Sequence, residues 1–259
     1  MITVIFFLSF ALFVILMSVY VNAWLLPLWL ILGYAVGLLV AFLALYLQLP
    51  LMKRLPYTSR YKFYWTRSAA IFINRIILRL KIEFVGRENI PREGLLTVYA
   101  NHKSYADPFI ILEFMNRPTN FTPKMAIYKL FFVGKWVKYL GSVPIDRSST
   151  RNTARAMVEG IKTVKDGMAM VIFPEGGIKD RNDERMVEMR AGAYKIAFKA
   201  KADMLPVRIV GTTRIKKRAP WRSTRIHVKI FPVIPFEEVK DLSTAAMAKL
   251  MFERINSER

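Results

Sequence analysis

An α/β domain with a mixed sheet, carried behind an N-terminal pair of membrane helices, is the architecture this sequence predicts, and three observations predict it. Residues 1–52 contain no Asp, Glu, Lys or Arg, so the first charged side chain is Lys53. Beyond it, short apolar runs of strand length alternate with longer segments of helical spacing, the pattern of an α/β layer. Several of the apolar runs end in polar residues, which collects chemistry-bearing side chains at strand ends, where open α/β sheets bind ligands.

The uncharged run is too long for one bilayer span of about 20 residues, and it is interrupted at Asn22, Ala23, Trp24 and Pro27. Two spans, 2–21 and 26–47, joined by a short turn, make a helical hairpin. The basic cluster Lys53, Arg54, Arg60, Lys62 and Arg67 then places the large domain on the cytoplasmic face. Trp24, Trp29 and Tyr46 are candidate interfacial anchors. Val21, Asn22 and Ala23 resemble a signal-peptide cleavage site, but there is no basic segment ahead of the apolar run and a second apolar run follows. A re-entrant hairpin confined to one leaflet fits the same pattern as a spanning one.

The 259 residues are 54% hydrophobic, yet all 40 basic and 19 acidic side chains lie in residues 53–259, a formal net charge of +21. That excess calls for an anionic partner: nucleic acid, anionic lipid headgroups or a phosphorylated substrate. The basic residues are spread over the whole domain, with neither an RNA-binding aromatic pattern nor a helix-turn-helix, which argues against nucleic acid. A tethered basic domain more economically binds the anionic phospholipids of its own membrane. The absence of cysteine excludes disulfides, thiolate nucleophiles and Cys-based metal sites. Two well-separated histidines without cysteine give no metal site.

Taken in order, the hairpin occupies 1–52 and an amphipathic helix 53–80, lying at the membrane interface or packed on the domain. The α/β domain spans 81–259. Its expected strands are 81–86, 95–100, 120–125, 141–147, 168–173, 205–211 and 225–230. Its expected helices begin near Pro108, run over 128–137, 154–164 and 190–201, and end with 242–255. A basic loop with Lys216, Lys217 and Arg218 near Trp221 precedes the last strand.

The stretch 101–108 follows a strand and opens a helix, so His102 sits at a strand's carboxyl end with a carboxylate, Asp107, five residues on. The pair could meet as an oriented general base. Asp107 could equally be the helix N-cap, with Pro108 the first helical residue. The other histidine, His227, falls in an alternating run and reads as an ordinary strand position. Two further strand ends carry charge: 141–147 delivers Arg147, and the apolar run 168–173 ends in Pro174, Glu175, Gly176 and Gly177.

The order and local sequence of these strand ends resemble the glycerolipid acyltransferase family, in particular its 1-acylglycerol-3-phosphate O-acyltransferases. The family's Asn-His-x-x-x-x-Asp motif is matched by Asn101, His102 and Asp107, with its frequent Ser at Ser104. Its Phe-Pro-Glu-Gly motif is matched by Phe173, Pro174, Glu175 and Gly176. A motif ending in Arg is matched more loosely by 141–147, and a Pro-containing apolar strand by 205–207.

The resemblance implies transfer of a fatty acyl group from acyl-CoA or acyl-ACP to lysophosphatidic acid, giving phosphatidic acid, with no cofactor beyond the thioester co-substrate. It implies His102 as general base, Asp107 as its orienting partner, and Glu175 and Gly176 at the acceptor, where Glu175 holds the acceptor or organises the turn after its strand. The family's third motif continues with an Arg assigned to the acceptor's phosphate, and here Ile178 stands in that place. The phosphate then falls to Lys179, Lys103, Lys124 or Arg147, or the acceptor is glycerol 3-phosphate or a lyso-aminolipid. Ser104 as an acyl-carrying nucleophile is disfavoured, because a spacing of two residues from His102 makes their hydrogen bond awkward. The reading from another class is a membrane-anchored basic lipid-binding module, with Asp107 and Glu175 purely structural.

Overall fold

The computed structural model describes residues 1–144, 150–178 and 183–257. Its α-helices before the sheet are α1 (Ile2–Tyr20), α2 (Leu26–Leu47), α3 (Leu49–Arg54) and α4 (Arg60–Phe72), the last running on as a π-helical turn over Ile73–Ile77. Then come β1 (Leu80–Val85), β2 (Leu96–Ala100), α5 (Asp107–Phe114), β3 (Thr119–Phe121), α6 (Met125–Tyr128), α7 (Val133–Tyr139), α8 (Thr150–Lys165) and β4 (Ala169–Ile172). The chain finishes with α9 (Lys195–Ala200), β5 (Asp203–Val210), α10 (Ile215–Arg218), β6 (Thr224–Ile230), α11 (Phe236–Val239) and α12 (Thr244–Asn256).

The strands form one sheet in the order β1-β6-β5-β2-β4-β3, parallel throughout except for the antiparallel β5–β6 pair. A mixed sheet is thus what the chain builds. β2 and β4 lie inside it, covered on both faces, which is why both read as continuous apolar runs rather than alternating ones. One face packs on α4 and α5 through Phe63, Ala70, Ile110 and Ile111, and the other on α9 and α12 through Ile196, Ala197, Met247 and Met251. Parallel pairing places the carboxyl ends of β2, β3, β4 and β5 at one edge, and the antiparallel β6 returns its first residue to that edge.

The two apolar helices α1 and α2 fold back on one another as a hairpin, each long and apolar enough to cross a membrane. At 19 residues α1 is about 28 Å long. Gly33 and Gly37 let the helices approach: a Cβ on Gly37 would lie 2.9 Å from the Phe6 ring, and one on Gly33 2.8 Å from Val14 Cγ2. The tip is capped locally, with Asn22 Oδ1 accepting from the Trp24 amide and Trp29 Nε1 donating to the Asn22 carbonyl. Trp24 stands almost fully exposed there, whereas Trp29 is buried. Within the amphipathic segment, α4 packs on one side and leaves Tyr61 and Tyr64 exposed. It lies against α1 and α5 and buries Phe63, Trp65, Ser68, Ala70 and Phe72.

Five expectations need correction. The segment 53–80 is not one helix: α3 ends at Arg54, α4 begins only at Arg60, and a π-helical turn follows it. The strand expected over 120–125 is the shorter β3, and Met125 already opens α6. Residues 128–137 are not one helix: α6 stops at Tyr128 and α7 starts at Val133, because the chain folds so closely that a Cβ on Gly134 would meet the Tyr128 carbonyl. Residues 141–144 form no strand; Gly141 turns with φ +73° and gives its carbonyl to Asn120 Nδ2. The remainder of that motif, including Arg147, lies outside the described residues, as does Lys179. The helix expected over 190–201 starts as a tighter turn, Ala191–Tyr194, before α9.

Candidate active site

β2 is clamped between β4 and β5, so the loop leaving Ala100 is presented from a rigid strand end. Asn101 anchors it: its Oδ1 accepts from the Ile209 amide at 2.8 Å, and its Nδ2 donates to the Ile209 carbonyl at 2.7 Å and the Glu184 carbonyl at 3.0 Å. The side chain thus extends the ladder towards β5 where the β2 backbone turns away.

The next residues are arranged around Asp107. Its Oδ2 accepts from the amides of Lys103 at 2.7 Å and Ser104 at 2.8 Å, and lies 2.9 Å from His102 Nδ1. An ionised carboxylate only accepts, so opposite one a neutral imidazole would carry its proton on Nδ1 and leave the Nε2 lone pair free. Asp107 is fully buried, while the His102 side chain keeps 16% of its surface exposed. Of the two roles open to Asp107, the N-cap is therefore not the one it takes. It is the first helical residue of α5, with Ala106 at the cap position, and its side chain reaches back to the loop. Ser104 Oγ accepts from the Ala106 amide, a local turn bond.

Glu175 reaches this loop from the turn after β4. Its Oε1 accepts from the His102 amide at 2.8 Å and its Oε2 from Lys103 Nζ at 3.0 Å. Both charged side chains are shut off from solvent. Glu175 and Lys103, both expected at the substrate, bond to each other here, and Glu175 also holds the histidine's backbone, which is the turn-organising role open to it from the sequence. Phe173, from the same turn, stacks on the His102 ring with centroids 4.1 Å apart and planes 18° apart. Gly176 turns with φ +77° and its amide donates to the Phe173 carbonyl at 3.0 Å, which closes the turn that aims both residues.

A family model for acyltransferases matches residues 81–210, half of the chain, and those residues hold every element of this arrangement. The chain belongs to the acyltransferase family. The reading as a pure lipid-binding module is thereby set aside. This acyltransferase is 26% identical to the 1-acyl-sn-glycerol-3-phosphate acyltransferase of Borreliella burgdorferi, over 72% of its own length and 75% of the relative's. It is 32% identical to a probable enzyme of the same name from Mycoplasma pneumoniae, over 51% of its own length and 50% of the relative's. Among solved structures, the 1-acyl-sn-glycerophosphate acyltransferase of Thermotoga maritima has the same fold. It aligns with a TM-score of 0.62 and 22% identity, over 100% of this chain and 99% of that one.

His102, Asp107 and Glu175, expected at one site, lie within one hydrogen-bonded unit of the acyltransferase. The roles of Asn101, Phe173 and the Lys103–Glu175 pair emerge only in the fold. The signal for the first two was their position at strand ends; nothing local points from Lys103 to a carboxylate 72 residues away. Lys124 is exposed at the start of α6. His227 is an outer position of β6, paired with Glu83 at 2.9 Å, as an ordinary strand residue.

Proposed function

We propose that this enzyme moves a fatty acyl group from an acyl thioester, on coenzyme A or acyl carrier protein, to the hydroxyl of lysophosphatidic acid, forming phosphatidic acid. The observation that carries the reading is the His102–Asp107 pair, 2.9 Å apart, which commits Nδ1 and leaves Nε2 as the base. Nε2 takes the acceptor's hydroxyl proton as the oxygen attacks the thioester carbonyl. The new C–O bond forms, the tetrahedral intermediate collapses, the C–S bond breaks, and the imidazolium returns the proton to the departing thiolate. Asp107 holds the tautomer and stabilises the transient imidazolium; base catalysis of this kind contributes about 10²- to 10⁴-fold.

The acceptor is inferred from the relatives' names and the basic surface. With Ile178 where the family places an Arg, and Lys103 held by Glu175, the phosphate falls to Arg147, Lys179 or Lys124. Arg147, with a planar guanidinium that grips phosphate in two hydrogen bonds, is the strongest of the three. The hairpin holds the enzyme in the membrane, and the basic flank from Lys53 sets the catalytic domain on the cytoplasmic face.

The deciding experiment uses the full chain in detergent micelles, one long-chain acyl-CoA, and lysophosphatidic acid, glycerol 3-phosphate or a lyso-aminolipid as acceptor, with free thiol as readout. Thiol release with lysophosphatidic acid, absent in His102→Ala, is expected. Release only with glycerol 3-phosphate or the lyso-aminolipid would overturn the acceptor, and undiminished release by His102→Ala would overturn the base.

A further inference from the structure

The catalytic edge has a definite direction relative to the hairpin. α1 starts beside α4, where the Ile2 amide donates to Ser68 Oγ at 2.8 Å, and Phe6 meets Phe72 with ring centroids 5.3 Å apart. The two helices therefore run side by side in the same sense, and α1 continues beyond the end of α4. α4 and its π-helical turn deliver the chain to Leu80, which pairs with Thr224 at the start of β6. Because β6 is antiparallel to β5, and β5 parallel to β2, Leu80 and Thr224 lie at the same edge as His102. The hairpin thus projects past the catalytic edge.

At this edge, next to the start of β1, the loop 211–223, which includes α10, carries Arg214, Lys216, Lys217, Arg218, Arg222 and Trp221, and no acidic residue occurs between Asp203 and Glu237. Its backbone is pinned: the Arg218 guanidinium donates twice to the Ser223 carbonyl, and Arg79 Nη1 donates to the Trp221 carbonyl at 2.8 Å. On that fixed backbone the Trp221 side chain is 83% exposed. Lys216, Lys217 and Arg222 are exposed and form no ion pair among the described residues. A protruding indole among unpaired cations suits the headgroup layer of an anionic bilayer, where the ring sits at the interface and the cations meet lipid phosphates.

We infer that the loop 211–223 is a second membrane contact: Trp221 enters the headgroup layer, and Lys216, Lys217 and Arg222 bind anionic lipid headgroups. The contact seats the β1–β6 end of the catalytic edge on the surface from which the hairpin's target leaflet begins. Continuity with the hairpin side selects a bilayer as the occupant. The inference rests on the membrane reading of the hairpin, and its test tells the two apart.

The chain has no cysteine, so single reporters can be introduced without background. An environment-sensitive fluorophore is placed on Ser223→Cys or, as a hairpin reference, on Leu8→Cys, in the full chain reconstituted into lipid nanodiscs. The discs hold phosphatidylcholine alone or with phosphatidylglycerol. Accessibility is read with acrylamide, and depth with bromine-labelled acyl chains. We expect the Ser223→Cys label to be several-fold less open to acrylamide with phosphatidylglycerol than without. Adding Trp221→Ser, Lys216→Glu and Lys217→Glu should abolish that protection. Equal accessibility in both lipid mixtures, with the Leu8→Cys label shielded, would overturn the second contact alone. An open Leu8→Cys label would overturn the membrane reading of the hairpin and the contact with it.

Discussion

Lys103 Nζ lies 3.0 Å from Glu175 Oε2, and neither side chain reaches solvent. This ion pair fastens the histidine loop after β2 to the turn after β4, so the two parts of the site move as one. Breaking one partner strands a buried charge. Lys103→Met should therefore cost about 3–5 kcal/mol in chemical denaturation of the full chain in micelles. The double variant Lys103→Met with Glu175→Gln should recover much of the loss, because no net charge is then buried unpaired. A single variant as stable as the parent would show that the charges are solvated in solution.

Asp107→Asn separates loop geometry from catalysis. The amide oxygen can still accept from the Lys103 and Ser104 amides, which the aspartate holds at 2.7 Å and 2.8 Å, so the loop should survive with little change in melting temperature. What is lost is the negative charge that, in the proposed mechanism, stabilises the imidazolium. Turnover should fall on the order of 10²-fold or more. Activity close to the parent's would reduce Asp107 to holding the loop.

Phe173 fixes the imidazole plane by stacking at 4.1 Å. Contacts of this type contribute about 0.5–1.5 kcal/mol, so Phe173→Leu should lower kcat by about two- to tenfold. The acceptor KM should stay where it was. A change confined to KM would mean that the ring contacts substrate instead of aligning the base.

Alkaline stability should bear the mark of Tyr99 and Tyr194, which stack with centroids 4.5 Å apart in the core. Burial raises both phenols above their ordinary value of 10.0, and for Tyr194 the neighbouring Tyr99 adds to it. The folded protein keeps these protons while the unfolded chain releases them, so their stabilisation is complete below pH 10 and lost as pH rises further. Tyr194→Phe sacrifices only a hydrogen bond to Met189 Sδ at 3.2 Å. Above pH 10 its stability should decline less steeply with pH, by about 1.4 kcal/mol per pH unit. An unchanged slope would mean that Tyr194 titrates freely in the folded state.

Gly37→Val should force α2 off α1, because the added Cβ would come within 2.9 Å of the Phe6 ring and 3.2 Å of the Phe6 carbonyl. Overpacking of this kind costs about 1–3 kcal/mol, which unfolding in micelles would register as a lower midpoint. Gly37→Ala should cost less, since the ring can yield where a branched side chain cannot be accommodated. An unmoved midpoint for Gly37→Val would mean that the two helices do not pack together in the micelle.

Local pattern located most of this architecture. The hairpin boundaries followed from the uncharged run and its Asn22 to Pro27 interruption, and α1 and α2 fall within a residue of them. The strands at β1, β2, β4 and β6 were visible from apolar runs and alternation. Residues 128–137 misled, since an apolar run of that length suits one helix. The break between α6 and α7 comes from a close approach at Gly134, a contact that composition does not encode. The Asp-Pro pair left two roles open, because a capping aspartate and one that turns back to a histidine share the same dipeptide.

By itself the sequence determined that this chain has an apolar hairpin, an α/β domain behind it, and His102 and Asp107 five residues apart at a strand end. Those features depend on near neighbours and on periodicity, which a linear string carries. Only the tertiary structure decided the strand order, settled between the two roles open to Asp107 by turning its carboxylate onto the histidine loop, and buried Lys103 against Glu175. A charge pair's stability depends on how much water is removed around it, and that is settled only when segments distant in the chain pack together.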